Sequence, residues 1–83
     1  MSTVTGTKTI TSTSAAVFAG SGQLANRIQL RIINLDDSVA IMFNGMRLEP
    51  GEDKTIKPLS PSTVIYAYST GRAVQALVQE VSI

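Results

Sequence analysis

Apolar and polar residues alternate with a period of two over most of this 83-residue chain, the spacing of half-buried strands. Residues 39–51, VAIMFNGMRLEPG, set out the plan. Five apolar residues run into Asn44-Gly45, three more residues run into Glu49-Pro50-Gly51, and the segment therefore predicts strand, tight turn, strand, tight turn. A type I′ hairpin turn needs positive φ at both central residues, which Asn-Gly supplies. Pro-Gly suits a type II turn, with φ fixed by Pro and then positive at Gly. Ile41 and Phe43 alternate with Ala40 and Met42, so both faces of this strand are apolar. That predicts a central strand or one that meets another subunit.

The clearest alternation lies in residues 24–35, LANRIQLRIINL. Ile28, Leu30 and Ile32 predict a buried face, and Arg27, Gln29 and Arg31 an exposed one. Arg27 and Arg31 are then either a solvated face or a contact with an acidic patch on a partner. Residues 52–57 predict a charged, exposed strand, and Pro58 and Pro61 bracket a loop that denies edge pairing. Residues 63–68 predict another strand, with Val64, Tyr66 and Tyr68 on one face, serving either the core or an interface. In residues 73–81 helix and strand compete; the short turn before them and the β-rich context favour a strand.

The N-terminal stretch is different. Threonine holds every odd position from Thr3 to Thr13, while only Val4 and Ile10 add large apolar surface at the even ones. This ribbon is either a loose terminus or an arm ordered by adding a strand to a neighbour's sheet edge; we take the second forward. An apolar patch at residues 15–19 precedes Gly20-Ser21-Gly22, which reads as anchor and hinge. Phe18 fills either its own core or a partner's pocket. The chain divides on this reading into an arm and hinge, 1–23, and a body, 24–83. The expected fold is all-β, a small antiparallel β-sandwich or β-barrel with an extended N-terminal arm.

Composition narrows the function classes. Seven basic and six acidic residues leave a net charge of +1, with no electrostatic case for nucleic acid or an acidic membrane. No apolar run approaches the roughly 18 residues of a membrane span, and residues 15–19 are too short for a signal-peptide core. The absence of Cys removes disulfides, thiolate metal sites and a Cys nucleophile. The absence of His removes the commonest general base and metal ligand. Asp36-Asp37 falls short of the six or more oxygens that hard cations take. Glu49, Glu52 and Asp53 cluster at one turn, where solvation explains them better than glycosidase chemistry. We expect no enzyme, no cofactor and no metal. A core this small, without disulfides, gains from association, so a homo-oligomer is expected.

The order of segments IQLRIIN, VAIMFNG, LEPGED, TVIYAYSTG and QEV, over residues 27–81, resembles small structural proteins of tailed bacteriophages. The short chain and the threonine-rich arm resemble capsid decoration (cement) proteins. That resemblance implies a virion protein on the outside of the head, made in the host cytoplasm, often trimeric, whose partner is the major capsid protein. It implies an arm lying on the capsid, here Thr3, Thr5, Thr7, Thr9, Ile10, Thr11 and Thr13. An interface would draw on Phe18, Arg27, Arg31, Met42, Phe43, Tyr66 and Tyr68. The alternatives are a head-fibre, tail or receptor-binding module, or a small carbohydrate- or nucleic-acid-binding domain.

Overall fold

A computed structural model describes residues 2–57, 60 and 62–83. The bracket expected at Pro58 and Pro61 lies outside the described residues. Eight strands form: β1 (Ser2–Ile10), β2 (Ala15–Ala16), β3 (Arg27–Asn34), β4 (Ile41–Phe43), β5 (Met46–Leu48), β6 (Asp53–Ile56), β7 (Tyr66–Ser69) and β8 (Val74–Ser82). They make two four-stranded antiparallel sheets: a long one in the order β1-β8-β3-β6 and a short one in the order β2-β7-β4-β5. The two sheets pack together without closing on one another, so the fold is the sandwich and not the barrel. Of the segment in which helix and strand compete, all but Ala73 is strand, part of β8, in which Val74, Ala76 and Val78 point into the core.

The turns follow their local chemistry. Phe43 pairs with Met46 across Asn44-Gly45, whose φ values are 51° and 76°. That is the two-residue hairpin the dipeptide favours. The Glu52 amide donates to the Glu49 carbonyl at 3.0 Å while Gly51 sits at φ 79°, which closes the Pro-Gly turn.

The core joins Leu30 and Ile32 of β3 and Val78 of β8 to Ile41, Phe43 and Leu48 from the short sheet. Asn34, at the end of β3, is fully buried and ties the sheets together. Its Nδ2 donates to the carbonyls of Val39 at 2.9 Å and Leu48 at 3.3 Å, and its Oδ1 accepts from the Asp36 amide at 3.0 Å. A strand that ends in Asn here stitches the exit of β3 to the loop before β4 and to β5.

The N-terminal stretch is extended, and the strand edge it joins belongs to its own chain. β1 pairs with β8 without interruption from Ser2↔Ser82 to Ile10↔Val74. Its even positions turn inward: Ile10 is core, Val4 packs against the core, and a Cβ on Gly6 would lie 2.3 Å from the Ala19 carbonyl oxygen. Lys8 donates from Nζ to the Gly20 carbonyl and lies 5.9 Å from the centre of the Phe18 ring. These mixed even positions are the docking surface for residues 17–20. A division into arm, 1–23, and body, 24–83, therefore has no counterpart in the strand pairing.

Candidate functional site

The outer face of the short sheet gathers exposed aromatic and apolar side chains. Along β7 the burial alternates, with Ala67 and Ser69 inside and Tyr66 and Tyr68 outside, 55% and 40% exposed. Val64 continues the same outward parity one step before the strand, and it too is exposed. Tyr68 stands directly opposite Met42 of β4, which in turn faces Arg47 of β5. Tyr66 stands opposite Ala16 of β2. Directly paired residues share one face of a sheet, so Ala16, Met42, Arg47, Tyr66 and Tyr68 form one surface. Arg47 is ion-paired with Glu49 at its rim. The β5 end of the face is thus polar while its centre is aromatic, and aromatic residues are enriched in protein interfaces.

The sequence-predicted interface residues part company. Met42, Tyr66 and Tyr68 share the outer face of the short sheet. Phe43 does not join them: it is fully buried, because alternation along β4 sends it inward between its outward neighbours. Phe18 is half-buried under Lys8. Arg31 lies on the other sheet, in a row with Gln79 and Thr5, ion-paired with Asp53 at 2.5 Å.

Arg27 is the main correction. Simple alternation puts it outside with Arg31, yet its side chain is 0% exposed. The reason is a β-bulge: Arg27 pairs with Ser82 and Gln29 with Val81, two steps on β3 for one on β8. The extra residue moves Arg27 onto the inner face beside Leu30. Asn26, at φ 58°, precedes the bulge. Inside, Arg27 meets Glu80, also 0% exposed, at 2.9 Å.

Glu80 was not singled out by sequence reasoning, although it shares the inward parity of Ala76 and Val78 on β8. A carboxylate in that row is the signal that would have found it. Its Oε1 accepts from the Ala19 amide at 2.6 Å and its Oε2 from Leu24 at 3.3 Å. Arg27 donates to the carbonyls of Val17 at 3.0 Å and Thr63 at 2.9 Å. Its Nε is buried without a partner among the described residues. The pair is a clasp that fixes residues 17–24 and Thr63 onto the long sheet through hydrogen bonds to backbone groups and between its own two side chains.

The threonines of β1 face outward on the long sheet. Gln75 and Gln79 of β8 donate through Nε2 to the hydroxyls of Thr9 at 2.9 Å and Thr5 at 3.4 Å. Thr3 and Thr7 are exposed in the same row. Thr11 and Thr13 form the turn to β2, where the Thr13 amide donates to the Thr11 hydroxyl at 3.3 Å and the Ser69 amide to the Thr11 carbonyl at 2.6 Å. Ile10 is a core residue, not a surface contact.

Asp36 closes the loop after β3. Its Oδ2 accepts from the Ser38 amide at 3.0 Å and the Val39 amide at 2.7 Å, and Arg72 donates to both of its oxygens at 2.9 and 3.1 Å. The Ser38 N–H is the main cause, with the Val39 N–H and Arg72 adding to it, that lowers the carboxyl pKa to about 2 against an opposing desolvation. Asp36 is thereby committed to the loop. Among the described residues no three acidic groups converge on a point where an ion could bind.

What the surface can do chemically is bind: aromatic rings and a thioether offer apolar area, tyrosyl hydroxyls and Arg47 offer hydrogen bonds. Comparison with known proteins finds no family model, no curated relative and no solved structure that matches this chain.

Proposed function

We propose that this chain is a non-catalytic virion structural protein, a capsid decoration protein of a tailed phage, that docks on the major capsid protein through the outer face of its short sheet. The observation that carries the reading is the pair of exposed tyrosines, Tyr66 and Tyr68, contiguous with half-buried Met42 on one face of the short sheet. Tyrosines so placed give large contact area for little lost side-chain entropy. The order of strand and turn motifs that resembles phage structural proteins supplies the partner. On a shell that repeats its binding site, many modest contacts add up through effective concentration.

The test is co-sedimentation of the purified protein with empty phage capsids. Binding is expected, and Tyr66→Ser with Tyr68→Ser should lower affinity at least tenfold while the circular dichroism spectrum stays unchanged. Absence of binding, or a doubly substituted protein that binds as well as the parent, would overturn the proposal.

A further inference from the structure

Two sheets have four edges, and three of them are blunted. β2 is two residues long and β5 three, and β5 carries Arg47. β6 is four residues long and holds Asp53 and Lys54, with Glu52 and Lys57 flanking it. Short strands and charges are the usual means of keeping a sheet edge from pairing with another chain. β1 has neither. It is nine residues long, contains no Pro and runs through an unbroken register with no bulge. Its one charge, Lys8, is turned inward to the Gly20 carbonyl. Along its outer edge, alternate residues present backbone N–H and C=O groups with no backbone partner among the described residues.

We propose that this edge pairs antiparallel with β1 of a second copy of the chain, about a twofold axis at Gly6, joining two long sheets into one of eight strands. The occupant follows from self-complementarity. Gly6 is the midpoint of Ser2–Ile10, so full overlap sets Thr3 opposite Thr9 and Thr5 opposite Thr7 of the other copy. Threonine against threonine is a favourable cross-strand pair. No like charges meet across the outer face, because its β1 positions are uncharged throughout. The small residue at the axis, Gly6, meets its own counterpart. An isologous pairing of this kind uses up the edge and closes at two copies, unlike the trimer that the family resemblance implies. Because the axis runs perpendicular to the sheet, both short sheets lie on the same side, and the dimer presents two tyrosine faces in one direction.

The inference does not rest on the capsid reading, and its test uses the purified full chain alone. In sedimentation equilibrium the mass should rise with concentration from 8.8 kDa toward twice that value. Thr5→Lys with Thr7→Lys sets lysines opposite one another across the axis. It should hold the protein monomeric at every concentration with an unchanged circular dichroism spectrum. Mixing that chain with one carrying Thr5→Glu and Thr7→Glu should restore the dimer. The single Thr7→Lys variant, measured in parallel, carries the test if the double variant does not fold. A parent chain that stays monomeric up to millimolar concentration, one that forms trimers, or a folded lysine variant that dimerises as the parent does would each overturn the proposal.

Discussion

At the scale of single residues, three polar side chains inside the sandwich carry more structure than their number suggests. Asn34 and the Arg27–Glu80 pair each bind backbone groups from segments remote in sequence. Removing one partner of a buried ion pair leaves the other charged and unmatched, a loss of about 3–5 kcal/mol. A domain of this size has roughly 5–15 kcal/mol to lose. Glu80→Ala should therefore remove a large part of the stability, read as a fall in the urea midpoint; a change under about 0.5 kcal/mol would mean the clasp is incidental. Asp36 sets a pH dependence of definite sign. Its folded pKa, about 2, lies below the ordinary 3.8, so it contributes stability that is complete above the unfolded value and lost as pH falls through the folded one. Acid titration of unfolding should show this contribution disappearing between about pH 4 and pH 2 in the parent. It should be missing in Asp36→Asn, which starts less stable at neutral pH. Identical pH profiles for the two proteins would contradict the role given to Asp36.

At the scale of elements, β1 is the strand whose placement decides most. Its outward threonines are interchangeable with other β-favourable residues, but its inward row is not. Gly6 lies under the Ala19 carbonyl, where a Cβ would come to 2.3 Å. Gly6→Val must push β1 from residues 17–20, and overpacking of this sort costs about 1–3 kcal/mol. The outward Thr7→Val, one position away, should change stability by no more than about 0.5 kcal/mol. Denaturation midpoints of the two variants compare them directly. Amide exchange adds a second readout, since the β8 amides that pair with β1 should lose protection in Gly6→Val alone. Equal behaviour of the two variants would remove the close contact as an explanation for the glycine.

For the whole molecule, the sandwich separates two surfaces that a linear reading leaves mixed. One face offers Tyr66, Tyr68 and Met42; the opposite sheet offers a threonine and glutamine ladder with a free edge at β1. Residues alone made the strands and turns legible. Alternation grouped Val64, Tyr66 and Tyr68 on one face without telling whether that face is buried, and Asn44-Gly45 and Pro50-Gly51 marked their turns, because both signals come from the chain's nearest neighbours. Other features were hidden. Arg27 looked exposed until a bulge, invisible in the apolar pattern, reversed its direction. Phe43 belonged to the same apolar run as Met42, and only the position of the second sheet assigned one to the core and the other to the surface. The first strand read as an arm because its partner, β8, lies at the far end of the sequence; Thr9 and Gln75 are direct neighbours across that ladder. The sequence by itself determined the all-β class and the turns at Asn44-Gly45 and Pro50-Gly51, since these depend on short-range sterics and a two-residue repeat. The tertiary structure decided which strand joins which sheet, where the buried charges sit and which apolar residues remain outside, since those depend on contacts between residues far apart in the chain.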